Sequence, residues 1–353
     1  MPKRYLLFSA VFAACLVAGV GVAIALAQRD GPATASPTAS GNETGSAPSV
    51  TETSRTTARP VVFGARALGY DGRTDSQELA RVEQLIGRRF DAERFYWHIG
   101  DSLPSEEAKE SVELGRVPVI SLGSGPYSWA EVASGAADSQ LRAFFRSLEA
   151  EGGLFLRAII GFMNEPESKV AYLGSPAEYR AAYRRVVTLA REEGLPNEWT
   201  TFLQSYTWTA RDPNEWWPGD SYVDYVGVQG YGSNPNTCDT GQWRSFDETF
   251  RGPYAFAQSH GKPMLIGELG QREDPADPGR KAAWLREAAA VMERDMPLLR
   301  VVLFYHSDGR GPCAYQDSWW TDTSPQALAA FAAMVEELGN RPTPSDTDDV
   351  DDP

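Results

Sequence analysis

Two glutamates stand out by their surroundings. Glu165, in Phe162-Met163-Asn164-Glu165-Pro166, and Glu268, in Leu265-Ile266-Gly267-Glu268-Leu269-Gly270, each fall where a short apolar run of strand character gives way to a loop. In a parallel barrel the strand ends face one mouth, so acids at the ends of two strands converge on one substrate bond. Two carboxyls ~5 Å apart suit cleavage of a glycosidic bond with retained configuration, one protonating the leaving oxygen while the other attacks the anomeric carbon. Glu165 is assigned as acid/base and Glu268 as nucleophile. A like-charged neighbour and partial burial both raise the pKa of the proton donor.

The elements that would position this pair are legible as an alternation. Between residues 60 and 340, β-rich runs alternate with helical patterns, the mark of a parallel sheet wrapped by helices. The expected strands are Val61–Leu68, Phe90–Trp97, Val117–Leu122, Leu156–Asn164, Trp199–Tyr206, Val223–Gln229, Pro263–Gly267 and Leu299–Tyr305. Several are continuous apolar runs, as strands covered on both faces must be. Leu79, Val82, Leu85 and Ile86 recur at helical spacing, with Asp75 as cap and Gly87 as stop. Ser324-Pro325 opens a last helix whose stripe is Leu328, Phe331, Val335 and Leu338. Glu165 and Glu268 then fall on the fourth and seventh strands of an α/β fold, a (β/α)8 TIM barrel forming a single catalytic domain. An open doubly wound sheet is disfavoured, because no Gly-x-Gly-x-x-Gly follows the first strand.

Other residues at strand ends are candidates for substrate contact. Trp97, Trp208 and Trp320 follow strands two, five and eight, and their rings could stack on the CH faces of sugars or fill the core. His98 and His306, also at strand ends, could hold a substrate hydroxyl, orient a carboxylate, or be satisfied structural histidines. Arg66, near the end of the first strand, could anchor the nucleophile or make an outward ion pair. No metal-ligand cluster and no cofactor motif is present in the sequence, so neither a metal nor a cofactor is expected.

Asn164-Glu165-Pro166 on the fourth strand and Glu268 on the seventh resemble the signature of clan A retaining glycosidases over about residues 60 to 340. By that resemblance Asn164 would bind the sugar 2-hydroxyl. Trp216-Trp217-Pro218-Gly219-Asp220, Val223-Asp224-Tyr225-Val226-Gly227-Val228 and Gly230-Tyr231 are similar, more narrowly, to glycoside hydrolase family 26, the β-mannanase family. That resemblance implies that Tyr231 hydrogen-bonds the nucleophile. At the acid/base strand the chain departs from the His-Glu-Met-Asn usual in that family, placing the asparagine directly before the acid as other clan members do.

Composition sets the outer bounds. The 353 residues are 42% hydrophobic and 23% charged, enough for one large core, and the net charge of −15 argues against a nucleic-acid partner. Lys3 and Arg4 precede an apolar run from Tyr5 to Ala27, read as a signal peptide (1–27) or an uncleaved N-terminal membrane anchor. Residues 28–59, rich in Thr, Ser, Ala and Pro, read as a disordered tether, and 341–353 as a disordered acidic tail. Export to an oxidising compartment favours a disulfide between Cys238 and Cys313. The expected protein is a secreted or surface-tethered monomeric retaining β-glycoside hydrolase acting on a polysaccharide or oligosaccharide, with endo action on β-mannan, β-xylan or β-glucan. The alternative is a non-catalytic barrel that binds glycan at the cell surface.

Overall fold

The computed structural model describes residues 60–339 except 103, 151–152, 154, 156, 205–211, 234–242 and 308–318. The N-terminal apolar run, the tether and the acidic tail lie outside the described residues, as do Trp208, Cys238 and Cys313. No helix among the described residues is long and apolar enough to cross a membrane.

The strands are β1 (Val62–Ala67), β2 (Ala92–His98), β3 (Val117–Gly123), β4 (Ile159–Phe162), β5 (Glu198–Trp199), β6 (Leu203–Gln204), β7 (Val226–Tyr231), β8 (Met264–Gly270) and β9 (Leu299–His306). All pair in parallel, in the order β5-β4-β3-β2-β1-β9-β8-β7-β6. The fifth barrel strand, expected as one run from Trp199 to Tyr206, is split. Its first half, β5, pairs with β4, and its second half, β6, pairs with β7. Consecutive segments thus bond to opposite edges, and the sheet closes into a (β/α)8 barrel. Around it lie α1 (Asp75–Ile86), α2 (Glu106–Glu113), α3 (Trp129–Ser134), α4 (Asp138–Ala150), α5 (Val170–Leu173), α6 (Pro176–Glu192), α7 (Phe246–Ser259), α8 (Arg280–Asp295) and α9 (Pro325–Gly339).

Local chemistry explains the boundaries. Thr74, rather than the expected Asp75, caps α1 through a capping box with Gln77, and Gly87 ends the helix in the left-handed region. Asp75 is instead the first helical residue and accepts the Gly69 N–H at 2.7 Å. Leu85, expected on the buried stripe, is 43% exposed because it lies past the edge of the face that α1 presents with Leu79 and Val82. Ser324 accepts the Ala327 N–H at 3.1 Å and opens α9, whose Phe331, Val335 and Leu338 are buried.

Side chains alternate across each strand, and this parity decides what reaches the barrel axis. A lower interior layer consists of Ala92, Val119, Ile159, Phe202, Leu265, Val301 and Leu303. Phe202 fits there because two strands carry glycine opposite it: a Cβ on Gly161 would lie 2.3 Å from its ring, and one on Gly267 2.7 Å. On β2 the inward positions above this layer are Arg94 and Tyr96, while Glu93, Phe95 and Trp97 face the helices.

Glu93 is a buried acid in that outer layer, bonded to Ser111 at 2.5 Å with Arg116 at 3.8 Å. Burial pushes its carboxyl up to about 7, against the opposing pull of Ser111 and Arg116. Because the folded-state value is raised, the associated stability is complete below the ordinary carboxylate pKa and is lost as pH rises through about 7. Glu93→Gln should therefore be near neutral at pH ~5 and stabilising by up to ~3 kcal/mol at pH ~8. Denaturant unfolding at both pH values checks this, and equal destabilisation at both would contradict it.

Candidate active site

Glu268 lies within β8, two residues before the strand ends, where the sequence placed it just beyond the strand. Its side chain is held from three directions. The Tyr96 hydroxyl donates to Oε1, the Tyr231 hydroxyl donates to Oε2, and Arg94 Nη1 approaches Oε1 at 3.6 Å. Both phenols belong to strands flanking the interior, so the carboxylate is fixed by neighbours that cannot turn away without leaving the barrel. Burial, reinforced by Glu268 and opposed by Arg94, pushes the Tyr96 phenol well above its usual range and keeps it a donor.

Arg94 is the hub beneath the site. It is fully buried, with its guanidinium over the rings of Phe202 at 4.2 Å and Tyr96 at 4.8 Å. Its Nη2 donates to Ser121 at 3.0 Å and to the Gln229 carbonyl oxygen at 3.1 Å. That second bond orients the amide so that Gln229 Nε2 donates to Glu165 Oε1 at 3.3 Å. A continuous polar path thus runs Glu268, Arg94, Gln229, Glu165 across the mouth.

Glu165 reaches this path by an unusual backbone. β4 stops at Phe162, and both Met163 (φ 63°) and Glu165 (φ 48°) adopt the left-handed region. For Glu165 this precedes Pro166, which restricts its neighbour to extended backbone, so the conformation is doubly disfavoured. The surroundings impose it. The Glu165 N–H donates to the Phe202 carbonyl at 2.7 Å, Ser124 N–H reaches Met163 Sδ at 3.2 Å, and Lys169 Nζ donates to the carbonyls of Asn164 at 2.6 Å and Glu165 at 3.3 Å. Burial raises the Glu165 pKa, and the nearby Glu268 charge raises it further, outweighing Lys169, Gln204 and Arg94. Lys169 is itself pushed down by burial.

The other residues singled out in the sequence are dispersed. Trp97 is no rim aromatic: its parity turns it outward, where it is buried against Phe95 (5.6 Å), Phe144 and Phe155 (both 6.2 Å). His306 is buried too, with Nε2 3.0 Å from Glu78 and Nδ1 against Thr321, so it ties the end of β9 to α1. Arg66, expected as a possible anchor, is not the cation at Glu268. It pairs with Asp75 at 2.5 Å and lies 3.9 Å from Glu107, and the anchoring cation is Arg94. His98 is exposed beside Asp101 at the end of β2. Trp320 lies on the rim with its ring 4.5 Å from Tyr70. Asn164 is half-buried beside Glu165. Arg94, Tyr96 and Gln229 were missed; Arg94 follows Glu93 directly in β2, and local sequence does not say which of the two faces the barrel axis.

No known protein-family model matches the chain. Over 288 residues, 74% of the chain, it is 24% identical to endoglucanase H of Acetivibrio thermocellus, covering 29% of that protein. Over 188 residues, 46% of the chain, it is 25% identical to a β-1,3-xylanase of an Alcaligenes species, covering 38% of it. The chain spans well under half the length of these curated relatives. Among solved structures, a modular endo-β-1,4-mannanase of Cellulomonas fimi superposes with a TM-score of 0.55 at 16% identity, over 79% of this chain and 71% of that one. A family 26 β-mannanase of Bacteroides ovatus gives 0.55 at 15% identity, over 79% and 89%. The YdhT protein of Bacillus subtilis gives 0.56 at 16%, over 78% and 86%. At these identities the likeness establishes the fold: the chain shares its barrel with glycoside hydrolases of the mannanase type.

Proposed function

We propose that the protein is a retaining β-glycoside hydrolase that cuts within a β-linked polysaccharide, with Glu165 as acid/base and Glu268 as nucleophile. The observation that carries this is the asymmetric pair itself. One carboxyl is organised by two phenols and an arginine, and the other is half-buried, its pKa raised by burial and by the charge of the first, as a proton donor requires. In the first step Glu268 attacks the anomeric carbon as Glu165 gives its proton to the departing oxygen. In the second, Glu165 takes a proton from water, which displaces Glu268 with configuration restored. Tyr231 and Tyr96 hold the attacking carboxylate at a fixed angle through both steps, and Asn164 is placed to meet the sugar 2-hydroxyl.

The names of the relatives and neighbours, an endoglucanase, a β-1,3-xylanase and an endo-β-1,4-mannanase, have a polysaccharide in common, β-linked where the name states the linkage. The basic n-region and apolar run at the N-terminus support export, with residues 28–59 as a tether, and a Cys238–Cys313 disulfide would suit that compartment. The purified chain is expected to hydrolyse at least one of β-1,4-mannan, β-1,4-glucan, mixed-linkage β-glucan and β-1,3-xylan, with the β-anomer appearing first by proton NMR. First appearance of the α-anomer would overturn the retaining mechanism, and hydrolysis of none of the four would overturn the enzyme assignment.

A further inference from the structure

The rim beside Glu268 carries a ring that the chemistry above does not use. Tyr70, in the turn after β1, is 46% exposed and meets the half-buried Trp320 edge-on, with ring centroids 4.5 Å apart and planes at 63°. The turn is held rigidly. Gly69 N–H donates to Asp75 at 2.7 Å, Arg73 N–H donates to the Tyr70 carbonyl at 3.1 Å, and Arg73 Nε pairs with Glu78 at 2.5 Å. A Cβ on Gly69 would lie 2.1 Å from the Arg73 carbonyl, so the close approach that forms the turn needs glycine. Trp320 is fixed in turn by buried Lys281, which donates to its carbonyl and, at 2.9 Å, to Thr323. Two rings on braced backbone therefore meet as one aromatic step, exposed at Tyr70.

Its side of the mouth follows from its neighbours. Trp319 packs on Tyr231 at 4.6 Å, and Tyr231 holds Glu268. The Leu68 N–H bonds the His306 carbonyl, joining the ends of β1 and β9 next to β8. Glu165 follows β4, three strands from β1 on the opposite flank. A retaining nucleophile lies beneath the sugar whose anomeric carbon it takes, while the acid serves the leaving sugar.

We propose that Tyr70, braced by Trp320, is a stacking platform for a sugar on the glycone side, beyond the ring at which cleavage occurs, and makes the enzyme favour longer chains. This rests on the retaining hydrolase assignment. The test uses 4-nitrophenyl β-glycosides bearing one to four sugars of the polysaccharide cleaved best, so that the aryl group takes the leaving-group site and every added sugar extends the glycone side. Tyr70→Ala is expected to lower kcat/KM about tenfold for the longest members while leaving the one-sugar member within twofold of wild type, with Tyr70→Phe restoring the long-chain rate. A loss equal at every length, or none at any, overturns the platform. Absence of turnover by the wild type would instead indict the hydrolase assignment; the platform is then judged by titrating cello-, manno- and xylohexaose against intrinsic fluorescence, where binding unchanged in Tyr70→Ala, or no binding by the wild type, overturns it.

Discussion

Glu268→Ala is expected to lower turnover by on the order of 10⁴-fold or more while the barrel stays folded. The magnitude follows from what is lost. Without a carboxylate at this position no glycosyl-enzyme forms, and turnover falls to what direct attack by unactivated water supplies. Folding should survive because Arg94, the buried cation left behind, keeps Ser121, Gln229 and the faces of Tyr96 and Phe202. Breaking a buried ion pair outright costs ~3–5 kcal/mol, and with these remaining partners the loss should fall below that range. Rates on the best polysaccharide and unfolding curves measure the two effects separately. A small anion such as azide, entering the vacated space, should recover part of the rate on an activated aryl glycoside and give a product of inverted configuration. Retention of activity within tenfold of wild type would remove Glu268 from the mechanism.

The same barrel shows which links between sequence and site are readable. Alternation of apolar runs with helical periods gave eight strand positions, because parallel strands covered on both faces must be apolar along their length. It also placed Glu165 and Glu268 at one end, since the strand direction is common to all. What periodicity alone did not give was parity. Trp97 and Tyr96 are consecutive, so one necessarily faces the helices and the other the axis, and only their tertiary contacts, Tyr96 with Glu268 and Trp97 with Phe144 and Phe155, show which. The same ambiguity hid Arg94 behind Arg66: both are arginines on neighbouring strands, but Arg66 stays near the rim, where Asp75 and Glu107 neutralise it. His306 was open to a functional or a structural role because it stands at a strand end. Its partner Glu78 comes from a distant helix, and such long-range pairs leave no mark on local sequence. The strained backbone at Met163 and Glu165 was equally silent, since non-glycine residues in the left-handed region are imposed by tertiary contacts such as Lys169 with the Asn164 carbonyl.

Glu165→Gln should separate the acid from the base by substrate. On a polysaccharide, whose leaving sugar needs a proton, the rate should fall ~10²–10⁴-fold. On a 2,4-dinitrophenyl glycoside the first step needs no acid, so the glycosyl-enzyme should accumulate and a burst of dinitrophenol should precede slow turnover. The pH profile fixes the sign. Burial, and after it the charge of Glu268, raise the Glu165 pKa, so the wild type keeps its acid protonated above the usual carboxylate range and loses activity as pH climbs through that raised value. This alkaline limb should be missing from the glutamine variant. Stability moves the same way: a raised folded-state pKa means that stability present below the unfolded value is lost as pH rises through the folded one. Glu165→Gln should therefore be more stable than wild type at alkaline pH, with the difference vanishing in acid. The two dependences share one cause, the raised pKa of Glu165; once Glu268 is esterified by the sugar its charge is gone and that pKa must drop, converting the same carboxyl from donor to base. A variant that lost activity without losing its alkaline limb, or gained no stability at high pH, would show that Glu165 is not the group whose proton moves.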